Sequence, residues 1–599
     1  MRLVLLLTVL ATTLAACAAP PGGLPGAESV PTGAARTTIA AIQGRGPRSP
    51  LEGRPVEIDA VVVQVAGGLG GVFVGSLAPD DDPRTAEGLF VPRPRDAEPR
   101  LRQGDRVRLA GVVRELGDDD AGDATLTALE PTAITPLGHA DVPETRLAAP
   151  PPHGWESLEG MRVVVEAPLT VTGVDALARH GELALAFDGR LFAPTELAPP
   201  GPQAEAIAAD NARRLLRVDD ARTRPDPDDL WFLPAHDDTA PLRVGSTIAR
   251  VVGVVDQRFG RHRLQLVEAL GGIGQAPRPA PPTVAGDRRI AGFNLLNLFN
   301  GDGAGGGFPT ERGAEDFARY ERQQAKLVAV VQGLQPDLAA LMELENDGFG
   351  PRSSIAQFVD ALNAAGPHRD WRFVDAGDGP GVDGIRVGMI YRASRFTPVG
   401  APATRIDGPF AERSRAPLAQ AFRACDGASC GPVFVVAANH FKSKGCGRDA
   451  AGDDADRGDG QACFNAVRVE SAQRLHAWLA GDPTGTSPAG TLVIGDLNAH
   501  AQEDPLTWLR GQGWRDAFAV AGEASAPPYS FVFAAQSARL DHALLDAGLA
   551  ARLRGAAHWH NSADEAAAFD YHADRDGDPW RASDHDPMLL GFDLARPAL

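Results

Sequence analysis

The segment Leu492–His500, LVIGDLNAH, runs three apolar residues into a glycine and then sets a carboxylate, Asp496, two positions ahead of an amide, Asn498. Side chains two apart on an extended chain share a face, so both can reach one target. Other apolar runs carry polar residues at one end in the same way: Asn294 in RRIAGFNLLNLF, Glu343 in DLAALMELEND, His440 in VFVVAANHF, Asp541 in ARLDHALLD, and Asp584 with His585 in ASDHDPMLLGF. Taken singly, an Asp or Asn in such a place is a cap or turn former. A lone histidine is ordinarily a hydrogen-bonded structural residue. Six separate runs delivering acids, amides and imidazoles at the same relative position are the pattern of a site assembled at strand ends in a layered α/β protein.

The residue types point to one chemistry. A carboxylate-rich set without thiolates suits a hard divalent cation, Mg²⁺ or Mn²⁺, with Ca²⁺ as a structural alternative. Two histidines beside carboxylates supply an acid and a base. Asn498 donates and accepts without adding charge. Together these are parts for metal-assisted attack of water on a phosphodiester.

The elements that must position them begin at about residue 284 and continue to 599, where strand-like runs alternate with helical patterns. Glu311–Leu334 and Asn465–Gly481 have apolar residues at helical spacing, and VGMIYR, VFVVAANHF and LVIGD have the texture of buried strands. Ala276–Pro282, APRPAPP, is proline-rich enough to be a stiff linker ahead of this domain. Upstream the texture is all β. Residues 37–140 hold five short runs, Val56–Val65, Gly71–Val74, Gly88–Val91, Arg106–Val113 and Thr125–Leu129, which predict a small barrel. Residues 141–275 form a second β-rich domain whose middle, Pro199–Leu242, has loop-like, proline-rich character. In the first barrel Phe73 and Phe90 are the only aromatic residues, and Asp80–Asp82 and Asp118–Asp120 surround its strands. A single-strand platform needs aromatics on a basic groove, so a packing or spacer role is favoured.

The ordered set FNLLN, LMELEND, NHFKSKG, GDLNAH, RLDHAL and SDHDP resembles the endonuclease/exonuclease/phosphatase superfamily, which includes pancreatic DNase I and the abasic-site exonucleases. Within it the chain is most similar to secreted bacterial nucleases of the ExeM/NucH type. TAEGLFV and GDRVRLAGVVRE resemble the OB-like modules that precede such nucleases. The resemblance implies an α/β fold, a four-layered α/β sandwich of the DNase I type preceded by β-rich OB-like domains. It implies that Asn294 and Glu343 bind the catalytic metal with help from Asp584. Glu345 is an alternative neighbour, whose parity on an extended strand places it with Glu343 in a supporting role. It makes His440 a phosphate contact or acid, Asp496 the residue that orients or activates water, and Asn498 the holder of the scissile phosphate. Asp541 pairs with one histidine, and His585 is the base or transition-state stabiliser; which histidine is the acid stays open. Lys442, Lys444 and Arg468 are candidates for gripping the DNA backbone.

At the amino terminus, Arg2 precedes an apolar run and the sequence Leu14-Ala-Ala-Cys17, the pattern of a secretory signal with a lipobox. Residues 1–17 are therefore expected to be a lipoprotein signal ending at a lipidated Cys17, and 18–36 a flexible tether. The other four cysteines form an even set suited to an oxidising compartment. Local pairing, Cys425 with Cys430 and Cys446 with Cys463, is the simplest of three connectivities, and paired CxxC spacing for zinc is absent from the sequence. DRDGD, Asp574–Asp578, starts like a calcium loop but lacks the downstream bidentate glutamate, so a solvated turn is favoured. Asp453–Gly460 lies between Cys446 and Cys463, as a loop the second bridge would close.

The formal net charge of -20 over 599 residues excludes a protein that grips nucleic acid through a broad basic face. Cations for a polyanionic substrate must be local. The expected protein is an exported phosphodiesterase, an outer-membrane lipoprotein or an extracellular or periplasmic enzyme. Its expected partners are DNA, with RNA as an alternative, a divalent metal, and a membrane through the lipid anchor. The rivals are a phosphatase or phospholipase of the same fold and a non-catalytic surface protein that binds nucleic acid.

Overall fold

The computed structural model describes residues 35–595 apart from 95–96, 118–124, 235–241, 378–379, 428, 523–525 and 574–576. Cys17 and the signal segment, Asp118–Asp120 and the first three residues of DRDGD lie outside the described residues. No helix among the described residues is long and apolar enough to cross a membrane.

The first unit is built from β1 (Pro55–Ala66), β2 (Gly71–Ser76), β3 (Gly88–Pro92), β4 (Asp105–Leu116) and β5 (Leu126–His139). They run in the order β1-β2-β3-β5-β4, and β1 pairs again with β4, so the sheet closes into a five-stranded barrel. Valines and leucines alternate inward along β1 and β4 and fill it. Phe73 and Phe90 are buried, with ring centroids 4.9 Å apart, and pack with Val254 of the next unit. These rings serve packing between barrels, in keeping with the spacer role.

The second unit holds β6 (Arg162–Val165), β7 (Leu169–Gly173), β8 (Leu183–Ala186), β9 (Leu215–Asp219), β10 (Thr247–Arg258) and β11 (Arg261–Leu266). The order β7-β8-β9-β11-β10, closed by pairing of β10 with both β6 and β7, repeats the topology of the first barrel. Its middle is more ordered than the proline content predicts. Pro202 occupies the first turn of a helix, Pro202–Arg214, where a missing N–H costs nothing, and β9 follows directly. The proline-rich linker is pinned to its surroundings, since Pro277 O accepts from Arg243 and Pro279 O from Trp559 Nε1.

The last unit is a sandwich of two six-stranded mixed sheets. One contains β12 (Arg288–Leu298), β13 (Leu338–Glu345), β14 (Trp371–Phe373), β15 (Ile385–Arg392), β22 (Leu553–His558) and β23 (Met588–Phe592). The other contains β16 (Phe396–Thr404), β17 (Leu418–Asp426), β18 (Ser429–His440), β19 (Thr491–Asp496), β20 (Arg515–Asp516) and β21 (Asp541–Leu545). Ile290, Leu338, Met342, Phe422, Val436, Ile494 and Leu590 meet between the sheets. The outer face of the first sheet is covered by α1 (Phe317–Leu334) and α2 (Ser354–Ala365), that of the second by α3 (Asn465–Ala480) and α4 (Asp504–Gly511). This is the expected four-layered α/β sandwich behind a β-rich amino-terminal half. Helix α1 starts at Phe317 rather than near Glu311 because Asp316 caps it, accepting from Arg319 N–H.

Neighbouring strands of the second sheet approach closely at the site end. Gly495 has φ +140°, and a Cβ there would stand 2.1 Å from Asn439 O, so only glycine lets β19 lie against β18. Gly495→Ala is expected to destabilise the sandwich by about 2–4 kcal/mol. An unchanged urea midpoint would show that the two strands separate without cost.

Candidate active site

The inward rows of the sandwich end in polar residues. Ile290 and Gly292 lead to Asn294, Val436 and Ala438 to His440, and Leu492 and Ile494 to Asp496, while Asp541 pairs with Asp496 in register across β19 and β21. Period-two alternation thus carries apolar core into a polar mouth.

Glu343 reaches the same mouth by a different device. Regular alternation would send it outward with Leu341, but the β12–β13 register shifts here and Glu343 takes φ +63°. This bulge re-aims the side chain. The matching irregularity in β12, with Leu296 and Asn297 both at positive φ, supplies the donors that hold it. Asn297 N–H donates to Glu343 Oε2 at 3.0 Å and Leu296 N–H to Asn294 Oδ1 at 2.9 Å. Asn294 Nδ2 then bridges Glu343 Oε1 at 3.1 Å and Asp496 Oδ2 at 3.4 Å. Glu345 does not share this face. Its Oε2 accepts from Asn300 N–H, and burial pushes its carboxyl up to about 7.

His440 Nε2 lies 3.4 Å from Asp496 Oδ2, 4.0 Å from Glu343 Oε1 and 3.3 Å from Arg415 Nη1. Burial and the charges of Arg415 and His585 depress its imidazole well below the usual range, so it is neutral. Its Nδ1 is buried without a partner. His585 is the opposite case. Burial alone would depress it, but Asp541, Asp584 and Asp496 outweigh burial and hold it well above its usual value. Its Nδ1 is 2.7 Å from Asp541 Oδ2, which also accepts from Ser530 Oγ at 2.7 Å. Burial pushes Asp496 up to about 7, with Asp541 and Glu343 adding to it against His585. Asp496 Oδ1 accepts from Asn498 N–H at 2.8 Å, and Asn498 Nδ2 donates to Phe441 O at 3.1 Å.

Glu343, His440 and Asp496 each offer a ligand atom within 4.8 Å of the others. A neutral imidazole, two carboxylates that burial raises, and the adjacent Asn294 amide fit a divalent cation. Of the expected metal ligands, Glu343 belongs to this triad and Asn294 is hydrogen-bonded to two of its members. Asp584 stands outside this triad, its nearest hydrogen-bond donor being Ser583 Oγ at 3.4 Å, and it acts on Glu343 and His585 through charge.

Of the three expected DNA-gripping cations, Arg468 is taken up by the structure, while Lys444, although paired, lines the pocket. Arg468 is fully buried because its guanidinium donates to the carbonyls of Cys463 at 2.8 Å and Gln461 at 2.7 Å, holding the disulfide loop against α3. Lys444 is paired with Glu503, whose carboxyl is lowered to about 2 by His500, Lys444 and Arg468 against burial. Lys442 is half-buried, with Nζ 4.5 Å above the Phe464 ring. The cysteines pair as the simplest connectivity predicts, Cys425 with Cys430 and Cys446 with Cys463. Arg415, Ser530, Phe531 and Phe533 were not singled out in the sequence. Arg415 sits in a loop between Ser414 and Ala416, and its only signal is that it precedes the strand β17.

These groups surround one pocket of about 540 Å³, lined by Glu343, Arg415, His440, Asp496, Asn498 and His585 among others. Residues 291–585 match the model of the Endonuclease/Exonuclease/phosphatase family, and residues 153–275 match a domain of unknown function, DUF8508. No curated protein matches the chain. Similar solved structures include an endonuclease/exonuclease/phosphatase family protein from Bacteroides thetaiotaomicron, at 15% identity over 51% of this chain and 93% of that one, TM-score 0.34. A mannosyl-6-phosphatase from the same organism aligns at 15% identity over 51% and 98%, TM-score 0.33. The human Nocturnin catalytic domain with bound sulfate aligns at 16% over 51% and 94%, TM-score 0.32.

The raised acids fix a sign. A carboxyl held above its unfolded value of about 4 makes the folded state bind the extra proton, so stability falls as pH rises from about 4 through about 7. A cation at the triad displaces those protons, so its stabilising effect grows over the same window. The rise in melting temperature on adding Mn²⁺ is expected to be larger at about pH 8 than at about pH 5, and to shrink in Glu343→Gln. An increment independent of pH, or one retained in full by Glu343→Gln, would place the cation elsewhere.

Proposed function

Since residues 291–585 are a domain of the endonuclease/exonuclease/phosphatase family, we propose that this protein is an exported, divalent-metal-dependent phosphodiesterase whose substrate is DNA. The observation that carries this is the convergence of Glu343, His440, Asp496, Asn498 and His585, from strand ends and adjoining turns of both sheets, on one pocket, with Asn294 and Asp541 bonded behind them. A cation held by Glu343, His440 and Asp496 beside Asn294 would supply Lewis-acid polarisation of a phosphate. The chain's own groups do the rest. Arg415, beside His440 and lining the pocket, offers a fixed positive charge to a non-bridging oxygen. Asn498 has one N–H free after bonding Phe441 O, and it holds a second oxygen. Asp541 accepts from the Nδ1–H of the His585 imidazolium and orients the ring, leaving an Nε2–H that meets the developing charge or the departing oxygen. In this division His585 carries the proton and His440 is neutral.

A phosphomonoester substrate fits the same groups and is the second reading. The closed five-stranded barrels support OB-like modules in a spacer role, with strand orders suited to that fold. Export and lipidation at Cys17 rest on the lipobox and on two disulfides, which belong in an oxidising compartment.

With Mg²⁺ or Mn²⁺ the purified protein is expected to nick supercoiled plasmid and to stop with chelator. His585→Ala and Asp541→Asn should each slow nicking by about 10²–10⁴-fold. Undiminished nicking by either variant, or hydrolysis of a phosphomonoester with plasmid left intact, would overturn this assignment. In cells, Cys17→Ser should move the protein from the membrane pellet to the soluble fraction; an unchanged distribution argues against the anchor.

A further inference from the structure

One wall of the pocket comes from outside the catalytic domain. Ala193, Pro194 and Thr195 of the second barrel line it together with Phe531, Phe533 and Gln536 of a hairpin, Phe531–Phe533 with Gln536–Ala538. The wall is tied down by main-chain and side-chain bonds across the domain boundary. Ala193 N–H donates to Ser537 O at 3.0 Å and Ser537 N–H to Leu191 O at 2.9 Å. Thr172 Oγ1 donates to Ala535 O at 2.7 Å, and Thr195 Oγ1 to Glu503 Oε1 at 2.9 Å. Arg190 grips Asp564 with two bonds of 2.8 and 3.1 Å, and Glu196 takes Arg539 Nε at 2.9 Å. Buried, mutually paired charges of this kind do not swing open, so this is a fixed wall and not a lid.

Within the wall the aromatics form a continuous face. Phe531 has its ring centroid 4.8 Å from that of His585, and Phe533 lies nearly parallel to Phe531, at 16° and 6.3 Å. Phe533 is 70% exposed, while His440, Asp496 and His585 are at most 5% exposed. The reacting groups are therefore recessed, and a largely exposed aromatic ring stands at the rim beside them.

We propose that the second barrel makes this a site that prefers unpaired nucleic acid: a single strand enters with a base stacked on Phe533 and its phosphate turned into the recess, and a duplex is the poorer substrate. The inference rests on the nuclease function above. A duplex carries its phosphates on a stiff, convex cylinder with every base already stacked. To offer a base to Phe533 and turn one phosphate into a walled pocket it must first unstack and bend, at a cost. A single strand does both, and stacking on an aromatic tolerates any base.

The test compares kcat/KM with Mn²⁺ for a labelled oligonucleotide alone and for the same strand in a blunt duplex. The expected result is a preference of about tenfold or more for the single strand, and in Phe533→Ala a rise of about tenfold in KM for it. Arg190→Met, checked for folding by its melting temperature, should loosen the wall and bring the ratio towards one; if it does not fold, the Phe533→Ala measurement decides. Equal kcat/KM on the two substrates, or an unchanged KM in Phe533→Ala, overturns the inference while leaving the nuclease function standing. Cleavage of neither substrate removes the nuclease function and this inference with it.

Discussion

The structure is organised around a local excess of buried negative charge. Glu343, Asp496 and Asp541 come together at the mouth of the sandwich, with Asp584 close enough to raise Glu343 electrostatically. Like charges in a low-dielectric setting repel strongly, and burial penalises each one again. The protein answers with short-range devices: the Asn294 amide, two backbone N–H groups from the β12 bulge, the His585 imidazolium and Arg415. With a formal charge of -20 there is no general positive field to help. Attraction for a phosphate has to be generated within a few ångströms of where it reacts.

The sandwich is suited to that task because its core and its site are the same rows of side chains. Along β18 and β19 the row facing the opposite sheet is apolar until the last position, where His440 and Asp496 appear in register. Their backbones are fixed by ladder bonds on both sides, which limits the rotamers the side chains can sample. Glu343 could not join them from a regular strand. The left-handed backbone at this residue is a cost accepted where the side chain must face the mouth, and the Asn297 N–H freed by the paired irregularity donates to its carboxylate.

Parity explains what was legible in the sequence. Asn294, His440, Asp496 and Asp541 could be placed together because strand alternation and apolar runs are local signals. The orientation of Glu343 relative to Glu345 was not legible, because one bulge reverses the parity on which the two looked alike. Arg468 and Lys444 resembled surface cations, since what buries them is a set of carbonyls and a glutamate far along the chain. Arg415 left no periodic trace at all. The helix Pro202–Arg214 was hidden by prolines that mark loops on average but sit at its first turn here. The cysteine pairing was recoverable because short separations leave few alternatives.

The contact between the second barrel and the catalytic domain follows the same electrostatic logic in reverse. Arg190 with Asp564, and Arg539 with Glu196 and Asp516, are nearly fully buried pairs, with Arg243 set against Glu565 beside them. Such pairs add little net stability, because removing two charges from water offsets most of their attraction. They do fix geometry, since sliding by one residue would leave several charges buried and unpaired. An interface held by apolar contacts alone would tolerate small shifts, and the rim formed by Ala193–Thr195 would drift with them. Charge pairing instead sets the position of that rim relative to His585 as firmly as ladder bonds set Asp496, so a domain with no catalytic residue of its own becomes part of the shape that a substrate meets.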